Sequence, residues 1–123
     1  MGSNFLASAR EEVKFELTQV GEGQVYDFVP ERPSTPCFVI SPGAPYLEQG
    51  RTFCDFQVRF EVLILSGQAT NQTETENLDR LVCEAIDQLE TWFIESVEQP
   101  AAYEINGATL LGTKVSVTAE KTL

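Results

Sequence analysis

Carboxylates and thiols are the groups with which this chain could do chemistry: 19 Asp and Glu and three Cys, with no His among 123 residues. The absence of histidine removes the commonest general base and zinc ligand, and with it every Ser-His-Asp and Cys-His nucleophile system. Cys37, Cys54 and Cys83 are widely spaced and form no CxxC pair, so they read as buried free thiols, neither a disulfide framework nor a metal site. Glu11 with Glu12, or Glu74 with Glu76, are the paired carboxylates that acid–base work would call on, but both pairs fall on helix surface expected to be solvated. No GxSxG or Walker A spacing occurs. Gly21-Glu22-Gly23 lacks the third glycine and the preceding strand of a dinucleotide loop and reads as a helix stop. Asn71-Gln72-Thr73 has the form of a glycosylation acceptor, which carries no meaning without a secretion signal. Pro33-Ser34-Thr35-Pro36 fits a PxxP ligand but reads as a rigid connector. The expectation is no catalytic residue, no cofactor and no metal.

The elements that position these groups follow from periodicity. Phe5, Leu6, Ala9, Val13, Leu17 and Val20 recur at helical spacing, with Ser3 or Asn4 as cap, Gly21 and Gly23 as stop, and Arg10, Glu11, Glu12, Lys14 and Glu16 on the other face. Pro30, Pro33 and Pro36 recur every third residue, the period of polyproline II. Residues 37–40 predict a short buried strand, residues 41–45 a turn, and residues 46–51 a loop. Cys54, Phe56, Val58, Phe60, Val62 and Ile64 then alternate with Asp55, Gln57, Arg59 and Glu61, which predicts a long strand with one face apolar and the other facing water or a polar partner. After a polar turn, Thr73 and Glu76 have capping-box spacing, and Leu78, Leu81, Val82, Ala85, Ile86, Leu89 and Phe93 form the stripe of a second helix closed by Pro100. Two strands, over residues 101–105 and 110–119, flank the hairpin dipeptide Asn106-Gly107. The fold class is therefore α+β, a single domain with an antiparallel sheet and two helices packed on one of its faces.

Length and charge bound the function. A chain of 123 residues buries enough surface to fold without staples. No apolar run approaches the roughly 20 residues of a membrane helix, and the first residues lack the basic and apolar regions of a secretory signal, so folding in a cytoplasm is expected. A formal charge of -11 argues against a surface that grips DNA phosphates, though not against one that DNA slides past. Residues 71–99 carry Glu74, Glu76, Asp79, Glu84, Asp87, Glu90, Glu95 and Glu98 against Arg80 alone. Two readings stand side by side: an ordinary solvated helix face, or a surface that keeps a passing polyanion from sticking. Ile94 and Trp92 mark a subunit contact, with extra core an equal reading for Trp92.

From Val25-Tyr26-Asp27-Phe28-Val29-Pro30-Glu31-Arg32 through Pro36-Cys37, Ser41-Pro42-Gly43, Pro45-Tyr46-Leu47 and residues 50–56, the chain resembles the tail terminator proteins of long-tailed phages of actinobacteria. Leu78-Asp79-Arg80-Leu81-Val82 and Leu111-Gly112-Thr113 continue the likeness, which covers most of residues 25–118. That family is similar to the terminator of lambda-like phages, a small α+β subunit that forms a six-membered ring on the head-proximal end of the tail tube. The resemblance implies a virion protein that stops tube growth and docks the neck, with the tube protein, a neck or head–tail connector protein and its own copies as partners, and DNA passing through without specific binding.

Size favours a ring on separate grounds. A compact chain of this length is a sphere roughly 35 Å across; six touching spheres leave a hole of about 35 Å, whereas four leave about 14 Å, too narrow for duplex DNA. Tyr46, Leu47, Arg51 and Phe53, on a loop between two strands, are the expected inter-subunit or tube contact, with Trp92 and Ile94 beside them, although a loop folded back on its own core is equally compatible with the residues. Glu74, Glu76, Asp79, Glu84, Asp87 and Glu90 are the expected lining of a DNA channel. The competing expectations are a head completion or stopper subunit, and a cytoplasmic small-molecule-binding α+β dimer, which would need a deep pocket with convergent polar groups.

Overall fold

A computed structural model describes residues 5–28, 30–31, 34–67, 72–105 and 107–122. Its elements run α1 (Phe5–Thr18), β1 (Gln24–Tyr26), β2 (Cys37–Gln49), β3 (Asp55–Gly67), α2 (Gln72–Gln88), β4 (Phe93–Val97), β5 (Ala101–Ile105) and β6 (Ala108–Thr122). The six strands form one sheet in the order β1-β2-β3-β6-β4, with β5 pairing the other half of the β6 edge that β4 leaves open. Only β1 is parallel to its neighbour, so the α+β class and the mostly antiparallel sheet expected from the sequence are present, with a mixed edge in addition.

The helices and one sheet face share a core. Ala9, Val13 and Leu17 of α1 and Leu78, Leu81, Ala85 and Leu89 at α2 bury against Phe38, Ile40, Val58, Phe60, Val62, Ile64, Val115 and Val117. On the strands these residues alternate, and the register sets Ile40 beside Val62 and Val62 beside Val115, so they stand in rows on one face. The opposite face was expected to be polar. Its middle is, but one end holds a second buried cluster of Cys37, Val39, Leu65 and Leu110, flanked by Tyr26, Tyr103 and Ile105 from the short strands β1 and β5. Even-numbered apolar positions on one face and odd-numbered ones on the other make residues 62–65 a continuous apolar run, as a strand covered on both sides requires.

Three boundaries depart from the sequence reading. First, residues 41–49 are strand and not turn or loop. Strand β1 pairs only with residues 37–39, which leaves the rest of β2 as a sheet edge, and Pro42 and Pro45 sit where pairing with β3 skips from Pro42 to Leu47. An edge or a bulge is where a residue without an N–H is tolerated in a sheet. Secondly, α2 begins at Gln72, so Thr73 lies inside its first turn and the expected capping box does not open the helix. Thirdly, α2 ends at Gln88, and the segment carrying Trp92, Phe93 and Ile94 turns through Trp92 N–H to Leu89 O (3.1 Å) into β4. The stripe from Leu89 to Phe93 fitted helical spacing, but burial alternates instead: Trp92 inside, Phe93 outside, Ile94 half-buried. That is the period of a strand.

Elsewhere β6 runs over Ala108–Thr122 where residues 110–119 were expected, β3 starts at Asp55 and not at Cys54, and β1 was not foreseen, while the first helix stop and the position of the hairpin match. Gly21 has φ 76° just past α1, as a helix stop requires, and Gly107 has φ 87° where Ile105 pairs with Ala108 in a tight hairpin. The expected cap at Ser3 or Asn4, most of the polar turn before α2, and Pro33 at the centre of the proline repeat lie outside the described residues.

Candidate assembly surfaces

The predicted contact loop is split by the fold. Tyr46 lies on the helix side, half-buried, with its ring edge-on to Phe60 at 5.7 Å and its hydroxyl accepting from Arg10 Nη2 at 2.7 Å. Arg10, assigned to the solvent face of α1, in turn lies 5.7 Å over the Phe60 ring and covers core. Leu47 pairs with Val58 on β3 and is 38% exposed. Arg51 and Phe53 stand apart from these in the turn over residues 50–54 that joins β2 to β3. Phe53 is 96% exposed, more than any other large apolar residue described.

That turn is firmly built. Gly50 N–H donates to Asp55 O at 2.8 Å, Gln49 Nε2 donates to the Thr52 and Asp55 carbonyls, and Thr52 Oγ1 donates to Asp55 Oδ2 at 2.8 Å. Thr122 at the end of β6 donates to the other Asp55 oxygen at 2.7 Å. These hydroxyls stabilise the carboxylate and hold its pKa below the usual value. Phe53 is thus presented from an ordered tip at one end of the longest strand pair.

Trp92 is not a surface residue: it is 4% exposed and packs edge-on to Phe60 at 5.7 Å, with Lys121 Nζ 5.2 Å over its ring. Of the two readings set out for it, core is the one the fold realises. Ile94 pairs with Val117 and packs half-buried against the same core. The residue that β4 does present is Phe93, which the sequence reading placed on the buried stripe of the second helix and which is instead 68% exposed.

The acidic residues divide between surfaces. Glu76, Asp79 and Asp87 are exposed on α2, Glu74 and Glu84 are partly covered on it, and Glu90 is exposed in the turn that follows. Arg80 is tied by Nη1 and Nη2 to Glu22 (2.5 and 3.1 Å) and approaches Glu84 at 3.5 Å, pinning α2 to the turn after α1 and holding the Glu22 carboxyl below its usual range. Glu95, expected on the helix, lies on the sheet's other face. There Arg59 donates through Nε to Glu95 at 2.6 Å and through Nη1 to Glu48 at 3.1 Å and to the Pro45 carbonyl at 3.0 Å. This fork spans β2, β3 and β4, crossing β6 over the small side chain of Thr118. A Cβ at Gly43 would lie 2.5 Å from Arg59 Cγ, so the bulged strand must carry glycine where the arginine stem crosses it. Glu95 is held in its charged form by Arg59, and Arg59 by Glu95 first and Glu48 second.

Among the described residues no group of three His, Cys, Asp or Glu is placed to hold a metal ion, and no helix is long and apolar enough to cross a membrane. Compared with protein-family profiles and with curated proteins, the chain matches none.

Proposed function

We propose that this chain is the tail terminator of a long-tailed phage. In this reading it is a structural virion protein, not an enzyme, and it uses no cofactor. It forms a hexameric ring at the head-proximal end of the tail tube, stops tube polymerisation and joins the tail to the neck. Its partners are its own copies, the tail tube protein and a neck or head–tail connector protein. DNA passes through unbound, no membrane is involved, and assembly takes place in the host cytoplasm.

The observation that carries this reading is the tip formed by Arg51 and the 96%-exposed Phe53. Burying a phenylalanine is worth about 1.5–3 kcal/mol, and a fixed turn that holds its ring in water forgoes that gain until another surface arrives. The likeness of the segments over residues 25–56 supplies the kind of assembly. The exposed carboxylates Glu76, Asp87 and Glu90 suit a surface past which DNA slides.

Negative-stain imaging of the purified protein, alone and with tail tubes, tests the proposal. Rings seated on one end of tubes of restricted length are expected. Binding to the portal side with retention of packaged DNA would instead identify a stopper, and a protein that ignores tubes at every concentration would end the reading.

A further inference from the structure

We infer that the β2–β3 tip of one copy docks into a groove between α2 and the end of β4 on the next copy, a head-to-tail contact that rests on the ring reading above. The groove holds about 370 Å³ and is walled by Leu78 and Val82 of α2 with Val97 and Pro100. Asp79 and Glu98 stand exposed at its rim. An apolar slot with an acidic lip calls for an apolar group with a cation beside it. The tip offers that pair: Phe53, and two residues away Arg51, exposed and with no carboxylate partner among the described residues. Most other described cations are engaged, Arg59, Arg80 and Lys121 in ion pairs and Arg10 with Tyr46.

The two surfaces cannot meet within one chain. The tip adjoins Asp55, which pairs with Thr122, whereas the groove is floored by Thr113, which pairs with Ile64. Those positions lie about 30 Å apart along an extended strand. Complementary patches at opposite ends of one subunit define a heterologous contact, the kind that closes into a ring when its rotation allows.

The protein carries its own probes. Cys54 is exposed next to Phe53, and Cys83 is exposed and lines the groove. A short bismaleimide added to the assembled protein should therefore link Cys54 of one copy to Cys83 of the next. A ladder of multimers on a denaturing gel is expected, lost in both Cys54→Ser and Cys83→Ser. Phe53→Ala should weaken self-association by roughly tenfold or more in sedimentation, with an unchanged thermal melt because the side chain touches little in the monomer. A ladder that survives Cys83→Ser, links that join like cysteines, or a Phe53→Ala protein that assembles as well as the parent would overturn the contact. Rings on tube ends without the Cys54–Cys83 link would sink this contact and leave the proposed function standing; a chain that stays solitary with and without tubes would sink both.

Discussion

Arg59 is the residue on which most of the polar sheet face depends. Its side chain is only 14% exposed while it reaches two carboxylates and a carbonyl on two other strands. Hydrogen bonds to charged groups contribute about 1.5–3 kcal/mol each when well covered, but Glu48 and Glu95 are partly solvated, so screening argues for the low end. Arg59→Ala should destabilise the fold by about 1–2 kcal/mol in urea unfolding, and Arg59→Lys, which keeps the charge and loses the fork, by less. The same pair sets a pH signature. Glu95 has its folded pKa lowered from 4.5 by Arg59, so its contribution is fully present above the unfolded value and is lost as pH falls through the lower, folded one. As pH falls below 4.5 the parent should lose more stability than Arg59→Ala; parallel curves would show that the pair is energetically silent. Thiols give a second check at this scale. Burial pushes the Cys37 thiol up to about 11, while Cys54 and Cys83 are exposed. Alkylation at neutral pH should label Cys54 and Cys83 in the native protein and Cys37 only in denaturant, and three additions under native conditions would contradict the buried placement. The sequence assigned all three cysteines to the interior; for Cys54 and Cys83 the strand and the helix stripe each end or turn outward one position away.

At the scale of elements, what the sequence made legible is what repeats. The alternation from Phe56 to Ile64, the stripe of α1 and the hairpin that pairs Ile105 with Ala108 around Gly107 each repeat or concentrate one local preference, and each is realised at its expected place. What stayed hidden depends on neighbours that a linear pattern does not name. Residues 41–49 carry turn residues yet remain strand because β1 stops at Tyr26 and leaves an edge. The end of α2 was hidden because Leu89 and Phe93 satisfy a helix stripe, although Thr91, Trp92, Phe93, Ile94 and Val97 are the β-branched and aromatic types that favour strands. The Arg51–Phe53 turn was legible as a contact candidate, but its separation from Tyr46 was not, since Tyr46 is drawn inward by Arg10 and Phe60. One residue tests the unforeseen apolar end of the sheet. A Cβ at Gly112 would lie 2.6 Å from the Ile64 carbonyl oxygen and 2.7 Å from Leu65 Cδ2. The first of these is backbone in the neighbouring strand and cannot swing away, so Gly112→Ala should cost about 1–3 kcal/mol, visible as a lowered melting temperature with a loosened Tyr103 environment in fluorescence. A neutral substitution would mean that β6 does not approach β3 this closely at Gly112.

Over the whole molecule, charge and contact oppose each other. Each copy carries -11, so bringing copies together gathers like charge, whereas the contact inferred above is mostly apolar, with Arg51 facing Asp79 or Glu98 across a solvated rim. An exposed pair of that kind is worth about 0.2–1 kcal/mol, too little to offset repulsion among many unpaired carboxylates. The repulsion acts over about 10 Å at 0.1 M salt and about 3 Å at 1 M, while burial of Phe53 is insensitive to salt over this range. Raising ionic strength should therefore strengthen self-association, and sedimentation velocity across that range should show larger species at the salty end. Neutralising Asp87 and Glu90, which lie on the acidic surface outside the groove, should shift the same transition to lower salt, whereas Arg51→Glu should impair assembly most at low salt and leave the monomer folded. Assembly that weakens with salt would place ion pairs, and not the aromatic tip, at the centre of the contact, and assembly unchanged by Arg51→Glu would remove that residue from it.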